Sequence, residues 1–290
     1  MSKGMIEKLK LLPIYILIGF IAFTCVTPFI TIIATSFSGH SAILTGKVGL
    51  WPVDFHINAY KAVLMDAKFY RSLMVTIFVT VIGTLLNLCL TALTAYPLSK
   101  NIKGRKYIMT FIVFTMLFSG GLIPNYFNVR QLGLLDTVWA LILPSGISTF
   151  NLIILRTFFM GIPKELEDAA FMDGAGQARI LWKVYVPLSK TVLLTLGLFY
   201  AVAHWNSYMN AMIYIRNSEL YTLQVRLRQL VMGDMATQLT GSLSNEDQQV
   251  LVLESVKAAI VVVSTIPIIA VYPWLQKYFV KGVMIGALKG

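Results

Sequence analysis

Six stretches of this chain contain no Asp, Glu, Lys or Arg: Leu11–Gly39, Ser72–Ser99, Tyr107–Val129, Thr137–Leu155, Thr191–Ile215 and Ala258–Gln276. Each can supply the roughly 20 residues that a helix needs to cross the hydrocarbon core of a bilayer. Lipid offers no hydrogen bonds to the backbone, so only helices or a closed barrel can span it. The windows lack the alternation of a barrel strand. The expectation is therefore an all-α membrane protein with six transmembrane helices, at about residues 11–37, 72–99, 107–129, 137–158, 188–213 and 258–279. Composition agrees, with 57% hydrophobic and 13% charged residues, about half the charge of a soluble domain.

The formal net charge is +11, which raises nucleic acid as a partner. Position argues against it. Six spans put both termini on one side. With the N-terminus inside, the inner segments hold Lys3, Lys8 and Lys10; then Lys100, Lys103, Arg105 and Lys106; then Arg156, Lys164, Arg179, Lys183 and Lys190; then Lys277, Lys281 and Lys289. That is fifteen of the 24 basic residues, and the longer outer loops share nine. Lys and Arg collect on the cytoplasmic side of membrane proteins. Both termini are thus expected in the cytoplasm of a multi-pass protein of the cell membrane, and nucleic acid is not needed to explain the charge. Lys3, Lys8 and Lys10 before an apolar run also resemble a signal peptide. The run is longer than the ~7–15 residues of a signal's apolar core, so a retained first span is expected.

Several windows carry breaks: Ser119-Gly120-Gly121 with Pro124 in the third, Pro144 and Gly146 in the fourth, Pro267 and Pro273 in the sixth. Broken helices at membrane depth are tolerated where they face protein or a wet cavity. Each alone reads as an ordinary bend; together they favour a transporter. Cys25 and Cys89 both lie in apolar runs and read as small hydrophobes. "NAYKAVLMDAKFY", between the first two spans, reads as an interfacial helix, and residues 214–257 as an extracytoplasmic loop.

One inner segment is out of character with its surroundings. "PKELEDAAFMDGAGQARILWKVYVPLSK", Pro163 to Lys190, carries Glu165, Glu167, Asp168 and Asp173 within nine residues. Pro163 suits a first helical turn, and the acids complement its positive dipole end. Leu166, Ala169 and Ala170 share a face, and Gly174 sits where a left-handed cap would end the helix. A second short helix is expected from about Gln177 to Tyr185, with Pro187 returning the chain to the fifth span. Helix–turn–helix with a small apolar stripe is a docking surface for a soluble partner. An amphipathic hairpin on the membrane is the alternative, which the four acids oppose.

The segment resembles the EAA loop of ABC importer permeases: Glu-Ala-Ala, three residues, Gly, nine residues, Ile-x-Leu-Pro. Here it reads Asp168-Ala169-Ala170, then Gly174, then Val184-Tyr185-Val186-Pro187, with matching spacing and conservative departures. "SGGLIPNYFNVRQLGLLDTVWALILP", "YAVAHWNSYMNAMIYI" and "YPWLQKYFVKGVMIGALKG" extend the likeness from Leu11 to Gly290. They resemble the maltose-permease-like carbohydrate importer permeases, in the oligosaccharide permease group of the LplC and YtcP type. The resemblance implies a type I ABC importer permease fold over the single domain 1–290. It also implies a second, homologous permease as partner, two ABC ATPase subunits and an extracytoplasmic sugar-binding protein. Residues 163–187 would be the cytoplasmic coupling loop, with Glu165, Glu167, Asp168, Ala169, Ala170, Met172, Asp173, Gly174, Ala175, Arg179 and Pro187 toward the ATPase.

The chain has no P-loop of its own. Gly46-Lys47 lacks the spacing and the Ser or Thr that follows the Lys. ATP and Mg are therefore expected on the partner ATPase, with no catalytic residue, metal or cofactor on this chain. Sugars are held by hydrogen bonds and aromatic faces. Tyr200, His204, Trp205, Asn206, Ser207, Tyr208 and Asn210 form the richest such cluster at membrane depth, with Asn87 and Asn151 as further candidates for the substrate pathway. The same residues also fit a role as glue between helices or as an aromatic belt. Arg216, Arg226 and Arg228 read first as solvated loop charge and second as attraction for an anionic, uronate-containing oligosaccharide. The competing function is an ion-driven secondary sugar transporter, which would usually carry intramembrane carboxylates; the six windows have none.

Overall fold

The computed structural model describes residues 3–232 and 254–270. Part of the expected loop at 214–257, the end of the expected sixth span with Pro273, and the tail from Lys277 to Gly290 lie outside the described residues. Among the described residues all regular structure is helical. The described residues divide into two compact units, one taking 3–69 with 227–232 and 254–268, the other 70–226 with 269 and 270.

In the first unit, α1 (Lys3–Ser36) runs through Pro13 and Pro28 without a break in helix. Its apolar residues face outward, with Tyr15, Ile16, Phe20 and Phe23 all exposed. Water would not tolerate such a surface, whereas lipid does. Its hydroxyls are satisfied within the helix: Thr24, Thr27, Thr31 and Thr35 each donate to the carbonyl four residues back. That is the requirement lipid imposes on any polar group. The end of α1 is knotted to the segment after α2 (His40–Leu44) and to α3 (Asn58–Met65). Phe37 stacks on Phe55 and Tyr60, Ser36 Oγ meets Tyr60 Oη at 2.7 Å, and Gly39 N donates to the Val53 carbonyl.

The second unit is built on α4 (Ala67–Ser99), which begins before the charge-free window and carries Lys68 and Arg71 in its first turns. Three bent helix pairs follow. α5 (Arg105–Leu117) and α6 (Leu122–Gln131) turn by 116° across the Ser119-Gly120-Gly121 break. α7 (Trp139–Ile142), with a 3-10 turn through Pro144, meets α8 (Thr149–Met160) at 52°. After α9 (Lys164–Met172), α10 (Gln177–Ile180), a π-helical turn (Leu181–Tyr185) and α11 (Val186–Leu188) lead at 85° into α12 (Lys190–Trp205). α13 (Met209–Tyr214) and the start of α14 (Leu223–Val231) complete this run, while the rest of α14 and nearly all of α15 (254–270) belong to the first unit. Among the described residues, two single helices and up to three bent pairs have the length and apolarity to cross a membrane. The breaks at 118–121 and 143–148 fall at the glycines and prolines that the sequence marks.

Two of the apolar clusters that hold the second unit bear on the site. Near one end, Ala92, Ala95 and Tyr96 of α4 pack with Leu152, Leu155 and Phe159 of α8, with Ile180, Leu181 and Tyr185, and with Leu196 of α12. Small residues at 92 and 95 let α4 approach its neighbours closely, as expected where helices associate in lipid. Toward the other end, Val79, Leu141, Ile142, Ala211, Ile215 and Val225 form a second cluster.

Candidate functional site

Between the two clusters lies a cavity of about 490 Å³. Its walls come from α4, the α7–α8 break, α12 and the start of α13. Asn87, Asn151, Tyr200, His204 and Asn210 line it, joined by Ser145, Ser148 and Ser207 and by the rings of Phe150 and Phe199. The breaks create this composition, because ending a helix at membrane depth leaves short polar side chains and free backbone groups facing inward.

The polar side chains are held by one another. Asn87, 1% exposed, donates from Nδ2 to the Ser145 carbonyl at 3.1 Å and meets Nε2 of His204 at 3.1 Å. Its Oδ1 is buried and accepts nothing from the described residues. His204 fits because Gly83 faces it: a Cβ there would stand 2.6 Å from Nε2. Tyr200 Oη accepts from the Ser148 N–H at 3.0 Å, caps the broken strand of chain before α8, and pairs with Thr91 Oγ1 at 2.8 Å. The rest of the expected pathway cluster lies elsewhere. Trp205 is buried but does not line the cavity, and its indole N–H has no partner among the described residues. Asn206 is exposed and donates back to the Val202 carbonyl, and Tyr208 Oη lies against Met212 Sδ at 2.6 Å. Asn206 to Tyr208 are the break between α12 and α13, which no glycine or proline announces.

At the charged segment, α9 ends as the sequence predicts. Gly174 adopts φ +75°, with open space around it. Glu165, Asp168, Ala169, Met172, Asp173, Gly174, Arg179 and Pro187 are exposed, Ala170 and Ala175 half-buried against the core. Glu167 departs from its neighbours. Its carboxylate forms an ion pair with Lys100, which follows the end of α4, and accepts from Tyr185 Oη at 2.9 Å. Lys100 Nζ also lies over the rings of Tyr96 and Tyr185, at 4.7 and 4.3 Å. Tyr96 Oη donates to Gln177 Oε1. The π-helical turn delivers this geometry. It keeps Ile180 and Leu181 buried while swinging Tyr185 round to Glu167. Sequence reasoning placed Glu167 with the outward-facing acids; an ion pair across 67 positions leaves no local signal.

At the opposite end, Asp136 takes a left-handed conformation, φ +61°. Its Oδ1 accepts the backbone N–H groups of Asn217 at 2.8 Å and Arg216 at 3.0 Å, which together hold its carboxyl below the usual carboxylate range. Arg216 reaches the Tyr126 hydroxyl, whereas Arg226 is 4% exposed and is not a solvated loop charge. Arg228 remains exposed.

Among the described residues no three His, Cys, Asp or Glu side chains cluster as a metal site. The arrangement is a neutral polar cavity mechanically joined to a charged surface segment. A profile described as "Binding-protein-dependent transport system inner membrane component" matches residues 87–285. The polygalacturonan/rhamnogalacturonan transport system permease protein YtcP of Bacillus subtilis (strain 168) is 45% identical over 276 residues, 93% of this chain and 94% of that protein. Protein LplC of the same organism is 43% identical over 275 residues, covering 94% and 92%. A chain from the crystal structure of a bacterial ABC transporter involved in the import of the acidic polysaccharide alginate matches with a TM-score of 0.87 at 38% identity, over 96% of this chain and 99% of that one. The chain belongs to the family of binding-protein-dependent transport system inner membrane components, with the type I fold of ABC importer permeases.

Proposed function

We propose that this chain is one half of the transmembrane channel of an ATP-driven importer of acidic, uronate-containing oligosaccharides. It crosses the membrane six times with both termini in the cytoplasm. It pairs with a second homologous permease, receives sugar from an extracytoplasmic binding protein, and is driven by two ABC ATPase subunits that carry ATP and Mg. Residues 163–187 are the segment through which ATPase motion enters the chain. The chain itself performs no covalent chemistry.

The observation that carries this reading is the Lys100–Glu167–Tyr185 junction. It fastens the segment with EAA spacing to the end of α4 and to the turn that leads into α12. Those two helices supply Asn87, Tyr200 and His204 to the cavity. Displacement of α9 is thereby carried to the cavity walls through rigid helices. The buried Oδ1 of Asn87 is suited to accept a sugar hydroxyl, and Phe150 and Phe199 offer apolar faces to pyranose rings. The substrate class is supported by the acidic polysaccharides named for YtcP and for the alginate importer. Among the described residues the cavity lining has no lysine or arginine, so a uronate there meets amides and hydroxyls, and charge selection belongs to the binding protein or the outer surface.

The test is reconstitution of the purified complex with its binding protein, measuring ATP turnover against galacturonan oligomers and neutral oligosaccharides. Acidic oligomers should stimulate turnover and accumulate inside vesicles. Uptake by this chain alone, indifferent to ATP and driven by an ion gradient, would instead establish a secondary transporter.

A further inference from the structure

A second cavity, of about 540 Å³, lies between α5 and α8, lined by Arg105, Lys106, Met109, Thr110, Val113 and Arg156. Three cations stand at its mouth. Two of them are fixed by carbonyls at the end of α4: Arg156 Nε donates to Leu98 O at 2.8 Å and Arg105 Nη1 to Lys100 O at 3.1 Å. A carbonyl orients a guanidinium without cancelling its charge, and each arginine keeps further N–H donors. None of the three cations is ion-paired among the described residues. Below them the lining turns apolar. Lys106 to Val113 covers about 10 Å along the helix axis, and the face continues into exposed Phe114 and Leu117. Among the described residues none of α5 is fully buried, although Met109 and Ile112 lie partly buried against the core.

We propose that this cavity binds one anionic phospholipid, with its phosphate on Arg105, Lys106 and Arg156 and an acyl chain along Met109 and Val113. The profile matches a lipid rather than another ligand. Free phosphate would use the cations but not the apolar floor. Basic pockets between spanning helices at the cytoplasmic surface are the usual geometry for acidic headgroups. The inference rests on the reading of α5 as part of a membrane span whose Arg105 end faces the cytoplasm. The junction residue Lys100 is the same residue whose carbonyl holds Arg105, so an occupied site would brace the end of α4 against the pull of α9.

The experiment uses the purified complex in nanodiscs of phosphatidylcholine alone or with cardiolipin, read by native mass spectrometry and thermal midpoint. Wild type should retain cardiolipin and gain thermal midpoint from it. Arg105→Gln and Lys106→Gln should each weaken retention roughly fivefold, the effect of one cation at an anionic lipid surface. Arg156→Lys, which keeps the charge, should retain it. Equal retention by wild type and the Arg105→Gln/Lys106→Gln double variant overturns the proposal. So does a midpoint rise given equally by inorganic phosphate, which would mark a soluble anion site, or cross-linking of Val113 to the partner permease, which would mark a protein interface. Failure of the span reading is separate: wild type would then not enter the nanodisc at all.

Discussion

Replacing Lys100 by Met should loosen the charged segment from the membrane helices without unfolding either. Glu167 would keep its charge and the Tyr185 hydroxyl but lose its cation. The two side chains are 25% and 13% exposed, so water offsets little of the loss. Two unit charges at contact interact by about 4 kcal/mol at an effective dielectric of 20. Desolvation removes a large part of that gain. The two rings under Lys100 return roughly 0.5–1 kcal/mol each. A net coupling of about 2 kcal/mol between positions 100 and 167 follows, a roughly thirty-fold bias toward the fastened state. The assay is a double-mutant cycle, Lys100→Met, Glu167→Gln and both, read as sugar moved per ATP in the reconstituted complex and as thermal midpoint. Lys100→Met should lower the sugar-to-ATP ratio several-fold while basal turnover persists. The double variant should be less impaired than the sum of the two, because no buried charge is then left unpaired. Strict additivity, or full coupling in Lys100→Met, would refute the mechanical role of the junction.

Gly174 gives a second test. With φ +75° and no atom near its missing Cβ, any L-residue there meets similar backbone strain, about 1 kcal/mol, whatever its size. Gly174→Ala and Gly174→Trp should therefore shift the thermal midpoint of this chain alike, and a larger loss of ATP coupling in the Trp variant reports the docked ATPase. Gly83→Ala should push His204 off Asn87, costing about 1–3 kcal/mol by overpacking; transport should fall further than assembly, and unchanged transport would show the cavity wall to be irrelevant. Trp205→Ala, at a buried site off the cavity, should lower thermal midpoint through about 3–5 kcal/mol of lost packing, with transport per assembled complex retained. Asp136→Asn keeps the left-handed conformation and the acceptor but not the charge. Because the folded Asp136 carboxyl is held low, its contribution is present above the unfolded carboxylate pKa and disappears as pH falls through the folded value. Wild type and Asp136→Asn should therefore differ in thermal midpoint at neutral pH and converge in acid; a constant difference would contradict this.

The helices were legible because lipid enforces its rules strictly: a charge at membrane depth is costly, so its absence over some twenty residues carries information. The breaks at Ser119–Gly121 and Pro144–Gly146 were legible for a similar reason, since those residues fail as helix interior. The break at Asn206–Tyr208 was not, because Asn, Ser and Tyr all sit in helices elsewhere and only the packing of α13 against α7 selects the turn. Ser145 and Ser148 were missed as cavity residues because a serine acquires a direction only once the chain around it is broken. Asn87, Asn151, Tyr200, His204 and Asn210 were found because amides and rings are conspicuous in an apolar run. The placement of Glu167 depended on a partner far along the chain, and no local pattern encodes that.

The π-helical turn at Leu181–Tyr185 has a further consequence for how the sequence can change length. Such a turn holds one residue more than an α-helical path between the same flanks. Deleting one residue within 181–184 leaves the flanking helices in phase and simply converts the turn to regular α-helix. An insertion elsewhere between Gln177 and Tyr185 rotates everything beyond it by about 100°, and Tyr185 then faces away from Glu167. Length variation in this segment is thereby confined to a single place, and the junction that ties α9 to the cavity helices sets where it falls.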